Sequence, residues 1–422
     1  MRLWLLVLLL PGLALARDDD LWDDEWEDEE AGLPFAGFLE AGVGFRLQDD
    51  PLIDKDLTLG DLRARLEAEW TPGRSTVSLK ADAWYDDIET GIEAEVRDLS
   101  VAFRAGDNVD VKIGRQVQTW GTGDLVFLND LFPKDFVSFF SGRDDEYLKA
   151  PGNSIRLSRF GSAFNFDLVW SPVFDPDIYL DGNRFSFFSP VAGGNVAPSP
   201  PLSAVEPDEG IGNGEIALRV FRNIEGNEYA AYAYYGYFKQ PTALTASFEP
   251  TFAPLAAFGA SLRRPMGSGL FNAEVVYYSS RDDTDGTDPL LPNDQFRALA
   301  GYEWEALPNF TVGLQYYLEA TLDYDELEAN SPNPSFEPDQ YRHLLTNRLT
   351  YRAARDRHTF SLFTFYSPSD SDYYLRPAYT YRHSDQWSLT AGGNLFGGDE
   401  PQTFFSQLSD ATNIYLRVRF NY

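Results

Sequence analysis

The sequence of 422 residues contains no cysteine and only three histidines. The lack of cysteine excludes disulfide frameworks, thiol catalysis and metal sites with cysteine ligands. Basic residues are also scarce, because 34 lysines and arginines stand against 66 aspartates and glutamates, which gives a net charge of −32. Nucleic acid is therefore excluded as a partner, since attraction to phosphate requires a positive surface.

Long hydrophobic runs are missing after the N-terminus. No later stretch approaches the roughly 20 apolar residues that a membrane-spanning helix needs, and the mean hydropathy is −0.33. A polytopic helical membrane protein is thus excluded. Aromatic residues, in contrast, are abundant, with 32 Phe and 23 Tyr. Such an excess is typical of proteins that contact lipid through β-strands.

The first residues have the features of a secretory signal peptide. Met1 and Arg2 give a positive start, residues 3–10 are apolar, and Ala14-Leu15-Ala16 fits the small-residue cleavage rule. We predict that residues 1–16 are removed on export. Residues 17–34 then form a predicted acidic, disordered periplasmic leader, because a block of like charges repels itself.

From residue 35 onward apolar and polar residues alternate with a period of two, the pattern of half-exposed strands. Eighteen such segments follow one another, among them 58–70, 75–86 and 310–320, joined alternately by tight turns and mostly long loops. A soluble sandwich or propeller would explain the alternation alone. The signal peptide, the alternation and the succession of short and long connections together predict an all-β protein. We expect a transmembrane antiparallel β-barrel over 35–422, with short periplasmic turns and long extracellular loops.

This fold predicts a place and partners for the chain. We expect it in the bacterial outer membrane, in contact with outer-membrane lipid and lipopolysaccharide. The last strand ends in Tyr422, with apolar residues at every second position before it. This ending resembles the C-terminal signal that the barrel-assembly machinery recognises, and the resemblance implies that machinery as a further partner.

Basic and acidic residues nearly balance on the inner face that the alternation assigns. Two interpretations stay open: arginines that line a wet conduit and attract anionic solutes, or arginines that pair across strands with carboxylates. Few acidic residues lie near the C-terminal arginines in sequence. We therefore predict a solute-facing lumen arginine patch of Arg376, Arg382, Arg417 and Arg419.

The long loop 121–153 is rich in Phe, Leu and Val. Because such side chains are unfavourable in water, we expect this loop to fold into the barrel, although an external cap is the alternative. An inward loop would carry charges that constrict the pore and set its selectivity. With the preceding strand end, the predicted set is Arg115, Asp124, Asp130, Lys134, Asp135, Arg143, Asp144, Asp145 and Lys149.

The same region carries a family resemblance. Gly114-Arg115-Gln116 at a strand end, Trp120-Gly121, Asn129-Asp130 and Pro133-Lys134-Asp135 resemble the segment of outer-membrane barrels of the alginate-export type and related barrel families. The resemblance covers mainly 109–151 and implies a passive conduit for a polar solute or polymer, anionic ones included. The sequence departs from that type in its balanced wall, since the alginate-export lumen is dominated by arginine.

Catalytic groups are not evident. His343, His358 and His383 have no nucleophile in an obvious partner pattern, and phosphate loops and metal-ligating histidine pairs are lacking. We predict no enzyme, cofactor or metal, with hydrolysis of glycosides by carboxylates alone left open. The predicted function is a porin or passive transporter for a polar small solute or polysaccharide, anionic solutes included. The alternative is a plugged surface-binding or structural barrel that attaches an envelope polymer.

Overall fold

A computed structural model describes residues 35–89, 91–208 and 210–422. The predicted signal peptide and acidic leader lie outside the described residues. No helix in the described ranges is long and apolar enough to span a membrane. The main sheet has eighteen antiparallel strands: β1 (Ala36–Arg46), β2 (Leu57–Trp70), β3 (Ser75–Asp86), β4 (Gly91–Arg104), β5 (Val109–Val117), β6 (Pro151–Arg159), β7 (Asn165–Ser171), β8 (Glu215–Ile224), β9 (Asn227–Tyr237), β10 (Pro254–Met266), β11 (Gly269–Ser280), β12 (Gln295–Leu307), β13 (Phe310–Thr321), β14 (Tyr341–Ala353), β15 (His358–Ser367), β16 (Asp372–Arg382), β17 (Trp387–Gly398) and β18 (Asn413–Asn421).

The sheet closes on itself. Each strand pairs with its neighbours in sequence, and β1 pairs with β18 from Phe38↔Asn421 to Arg46↔Asn413. The Tyr422 N–H adds a hydrogen bond to the Gly37 carbonyl at 3.1 Å. Closure matters because an open edge would leave unpaired backbone groups in hydrocarbon. The predicted closed barrel of eighteen antiparallel strands is confirmed.

The faces of the strands are arranged inside out relative to a soluble protein. In β1, Leu39 and Phe45 are about half exposed, whereas Glu40 and Arg46 are buried. The alternation read from the sequence therefore points apolar side chains outward and charged side chains into the barrel, as lipid outside and polar groups inside require.

The two ends of the barrel differ in their connections. One end, called here the tight-turn end, has two-residue turns at 225–226, 267–268 and 308–309. Glu225 and Gly226 have φ of +50° and +81°, as a type I′ hairpin turn demands. The opposite end carries the long connections, including 118–150 and 172–214. The strict alternation of tight and long connections is not kept there, since 368–371 is a short turn.

One irregularity in the wall changes which side chains face inward. The register between β3 and β4 shifts at Lys80 and Ala81, which pair with Asp98 and Val96. Arg97 is the extra residue of this β-bulge and is almost fully buried. A period of two would place Arg97 on the lipid side and its neighbour Asp98 inside, but the bulge turns both side chains inward.

The apolar core lies inside the barrel, between the wall and residues 118–150, called here the inner loop. This loop contains a short α-helix, α1 (Phe136–Ser141), and a short 3₁₀ helix (Asp145–Leu148). Helix α1 begins where the Asp135 carboxylate accepts a hydrogen bond from the Ser138 N–H at 2.7 Å. Phe140 packs edge-on against Tyr374 of β16 and Phe396 of β17, with centroids 5.6 and 5.5 Å apart. These contacts explain why a loop rich in Phe is stable here.

Candidate functional site

The inner loop spans the barrel interior. The Arg143 Nε donates to Asp61 on β2 at 2.7 Å, while the Asn129 amide donates to Glu274 on β11 at 2.8 Å. These two strands are nine positions apart in an eighteen-stranded ring, so they lie on opposite sides of it. Residues 118–150 therefore divide the interior into a part toward the tight-turn end and a part toward the end with the long connections.

A buried ionic cluster holds one side of the inner loop. The Arg65 guanidinium donates to both carboxylate oxygens of Asp82, at 2.6 and 2.8 Å, and to Glu146 of the loop at 2.7 Å. The Tyr147 hydroxyl donates to Asp82 at 2.7 Å. The Arg97 guanidinium lies 4.8 Å from the Tyr147 ring centroid. These charge-assisted hydrogen bonds and cation–π contacts fix the inner loop to β2, β3 and β4.

Several predicted site residues are buried. Lys134 pairs with Asp130 at 3.0 Å, and Asp135 caps α1. Arg143 is enclosed by Asp61 and by Asp86, the latter at 3.0 Å. None of these four predicted residues presents a substantial charged surface to solvent. Their contacts favour a role in holding the conformation of the loop.

Arg115 lies at the edge of the interior. The β4–β5 ladder ends at the Leu99↔Arg115 pair, and the Arg115 Nε donates to the Val96 carbonyl at 2.8 Å. Its guanidinium also lies 3.7 Å from Asp175 in the loop 172–214 and 3.8 Å from Glu95 on β4. Lys149 is partly exposed and donates to Thr119 at 2.8 Å. Arg115 thus covers the place where two strands part, at the start of the inner loop.

The remaining predicted loop residues are carboxylates that reach solvent. Asp124, Asp144 and Asp145 are 42%, 35% and 52% exposed, and each pairs with an arginine of the wall. Burial alone would raise the pKa of Asp144, but the guanidinium groups of Arg417 and Arg419 hold it below its ordinary value. Asp144 therefore stays charged at neutral pH.

The predicted arginine patch is largely neutralised in space. Arg376 pairs with Asp145 at 2.8 Å, and Arg419 pairs with Glu40 at 2.8 Å. Arg417 contacts both Glu40 and Asp144 at 3.3 Å. Arg382 lies apart from these at the exposed tight-turn end of β16 and has no ion pair within the described ranges. The compensating acids are far away in sequence, so the local sequence did not reveal them.

The structure has two cavities that charged side chains line. A cavity of about 310 Å³ lies between the inner loop and strands β10 to β15, with Asp124, Lys149 and Arg348 among its lining residues. A larger cavity of about 830 Å³ opens at the tight-turn end of β3 to β6 and is lined by Arg74, Arg104, Lys112 and Arg156, with Asp107 and Asp110. Within the described parts of the chain no group of three or more His, Asp or Glu side chains could hold a metal ion.

Several residues of this site were not in the predicted set, and Arg97 and Tyr147 show why. Arg97 was missed because a β-bulge cannot be read from alternation alone. Tyr147 was missed because only charged loop residues were considered, although a tyrosine among Asp144, Asp145 and Glu146 is a visible signal in the sequence.

Comparisons with known proteins place the fold. A scan against known protein families finds no match, and a search of curated proteins finds none either. Among solved structures, Pseudomonas aeruginosa OccK2 (OpdF), in complex with glucuronate, is similar with a TM-score of 0.54 at 12% identity, over 92% of this chain and 97% of that one. The fold is that of an outer-membrane porin-like barrel.

Other solved structures agree. Pseudomonas aeruginosa OccK11 (OpdR) gives a TM-score of 0.52 at 11% identity, over 92% of this chain and 95% of that one. Acinetobacter baumannii OccAB3 gives 0.51 at 12% identity, over 92% and 98%. The predicted outer-membrane location, with its contact to lipid and lipopolysaccharide, is supported by these neighbours. The alginate-export type itself is not confirmed and stays a prediction.

Proposed function

We propose that this barrel is a passive channel for small polar solutes and that the inner loop forms its constriction. The observation that carries the proposal is the solvent exposure of ion-paired loop carboxylates, above all Asp145, in the interior of a closed barrel. Solvent therefore reaches the inner loop at these carboxylates, whereas Asp130 and Lys134 of the same loop are buried. Exposed charges along a passage favour polar solutes and set which of them pass.

The size of the passage supports small solutes over polymers. The cavity beside the inner loop measures about 310 Å³, at the lower end of the range for sites that take small molecules. The inner loop also contacts opposite strands, which leaves no wide bore at its level. We therefore favour a solute of small-molecule size over a polysaccharide.

Conductance in planar lipid bilayers tests the proposal. Because the chain has no cysteine, Asp145→Cys places a single reactive thiol at the proposed constriction, and Leu39→Cys places one on the lipid face. We expect stepwise currents from both variants and a fall of about half or more in the Asp145→Cys current after labelling with a bulky thiol reagent.

The controls decide between a channel and a plug. Labelling should leave the currents of wild type and of Leu39→Cys unchanged. A barrel that inserts but passes no current would refute the channel and favour the plugged surface-binding alternative. Equal inhibition of both cysteine variants would refute the constriction at Asp145.

We propose further that the terminal strand is the recognition signal for the barrel-assembly machinery. Tyr422 closes the barrel through backbone hydrogen bonds to Gly37, and its hydroxyl donates to the Arg65 carbonyl at 2.6 Å. Deletion of Tyr422 should lower the amount of folded barrel in outer membranes while refolding into detergent micelles is retained. Equal losses in both assays would contradict the signal role.

A further inference from the structure

The ion pairs between wall arginines and inner-loop carboxylates share one order of exposure, in which the carboxylate is the more exposed partner. The Arg376 guanidinium lies 4.1 Å from the centroid of the Phe139 ring, and its Nη2 donates to Asp145 at 2.8 Å. Arg376 is 9% exposed, whereas Asp145 is 52% exposed. An aromatic ring therefore lies behind the guanidinium and the carboxylate lies in front of it, toward solvent.

The same order recurs around the loop. In each of three further pairs an arginine stacks on an aromatic ring and is less exposed than its acidic partner. The pairs are Arg348–Asp124, at 30% against 42%, with Phe363 at 4.9 Å; Arg65–Glu146, at 2% against 34%, with Phe38 at 4.8 Å; and Arg419–Asp144, at 19% against 35%, with Phe38 at 4.0 Å. The repetition on several strands indicates a property of the whole constriction.

This order has an electrostatic consequence. A balanced ion pair has no net charge, but it is a dipole, and a solute in the lumen is nearest to its exposed end. Cation–π contacts with Phe38 and Phe363 of the wall and with Phe139 of the inner loop hold the arginines back from the lumen, and this distance weakens their field there. The lumen at this level therefore has a negative potential even though bases and acids nearly balance on the inner face of the wall.

We propose that the inner-loop constriction prefers small cations, including organic amines, and that this preference comes from the ring–arginine–carboxylate order. The inference rests on the proposed channel function and assigns its solute class. It reverses the anion preference expected from the arginines in the sequence. Asp144 supports it as a permanent charge, because its two arginines keep it ionised at neutral pH.

Several pairs formed within the wall have the opposite order, among them Arg419–Glu40, at 19% against 8%, and Arg156–Asp167, which serves as a control. Arg156, with 38% exposure, pairs with Asp167, which is 3% exposed, at 3.1 Å. No aromatic ring lies under the Arg156 guanidinium within the described residues. Here the base faces the lumen and the acid is held by the wall, where Ser158 also contacts it.

Replacing both members of an ion pair with neutral residues tests whether the order of exposure within the pair, and not its net charge, sets the selectivity. Asp145→Asn with Arg376→Gln removes one positive and one negative charge, so the total charge is unchanged. We measure the ratio of K⁺ to Cl⁻ permeability from reversal potentials in a KCl gradient. Wild type should favour K⁺ by about threefold or more, and the double variant should lower the ratio by about a third or more.

The second pair and the control complete the experiment. Asp124→Asn with Arg348→Gln should lower the ratio as well, which tests the inference if the first variant fails to fold. Arg156→Gln with Asp167→Asn should raise the ratio or leave it unchanged. An open channel that favours Cl⁻, or a ratio that neither loop variant alters, would overturn the cation preference and leave the channel function intact. Absence of current from folded wild type would overturn both.

Discussion

Ion pairs at the level of the inner loop and ion pairs at the tight-turn end are built from the same residue types but lie in different surroundings. Arg65 and Asp82 are almost completely buried, and Tyr147 binds both. Arg104 and Asp110, near the turn after β4, are largely exposed at 3.4 Å. The difference teaches that the numbers of bases and acids in this wall do not predict the contribution of an ion pair. The burial of each partner must be known as well.

The two regions should respond differently to substitution for a physical reason. Removal of one partner from a buried pair leaves an uncompensated charge in a poor solvent, whereas an exposed charge remains hydrated. The inner loop region is therefore expected to determine stability and selectivity together. The tight-turn end is expected to contribute little to stability and to surround a wider, hydrated vestibule.

The largest effect is expected from Asp82→Ala. This change removes the carboxylate that binds Arg65 and the Tyr147 hydroxyl, and it leaves a buried guanidinium without its main partner. We expect a loss of about 3–5 kcal/mol in the free energy of unfolding. Urea unfolding of the purified barrel in detergent micelles, followed by tryptophan fluorescence, measures this. A loss below about 1 kcal/mol would break the contrast between the two regions.

An intermediate effect is expected from pH at Asp177, a buried loop carboxylate. Burial raises its pKa to about 6, although Lys134 lies nearby and both the Lys134 N–H and the Gln240 amide donate to it at 2.7 Å. The folded protein therefore binds a proton more tightly than the unfolded chain. The contribution of Asp177 to stability should rise as pH falls from about 6 toward 4, by at most about 1.4 kcal/mol per pH unit.

Asp177→Asn provides the control for this dependence. The amide cannot titrate, so the difference in unfolding free energy between variant and wild type should change with pH over this range and become constant near pH 8. A constant difference from pH 4 to pH 8 would show that Asp177 does not carry the raised pKa. The result would sharpen the comparison with Asp144, a carboxylate of the inner loop whose pKa is lowered by its two arginines.

The smallest effect is expected from Asp110→Ala at the tight-turn end. Its partner Arg104 is exposed and stays hydrated without it. We expect a change below about 1 kcal/mol that shrinks further in high salt, because exposed pairs are screened. The same urea unfolding assay, at low salt and at about 1 M salt, measures it. A loss as large as that of Asp82→Ala would show that depth does not distinguish the two regions.

The alternation of residues predicted the barrel strands with small errors at their ends. Segments 58–70, 75–86 and 310–320 are observed as 57–70, 75–86 and 310–321. The prediction succeeds because lipid outside and charged groups inside impose the same period on every strand. The period of two is interrupted at Arg97, where the β-bulge inserts one residue. The residues of β4 before the bulge therefore face the opposite side from the one that the pattern after it predicts.

The candidate site was predicted less completely. Composition identified the inner loop, since its aromatic side chains need an apolar contact. It could not separate the exposed Asp145 from the buried Asp130, because both are aspartates in one loop and only their packing differs. Nor could it pair Arg376 with Asp145, since more than two hundred residues separate them. Each of these distinctions depends on contacts between distant segments.

The sequence by itself determined that this chain forms a closed, outward-apolar barrel, because a two-residue period and a membrane leave few other ways to satisfy the backbone. It also determined that the wall is nearly neutral. Only the tertiary structure decided which member of each charged pair faces the lumen. Aromatic rings from separate strands and from the inner loop hold the arginines back from the lumen. In the proposed channel this arrangement makes the potential in the lumen negative although the wall is nearly neutral.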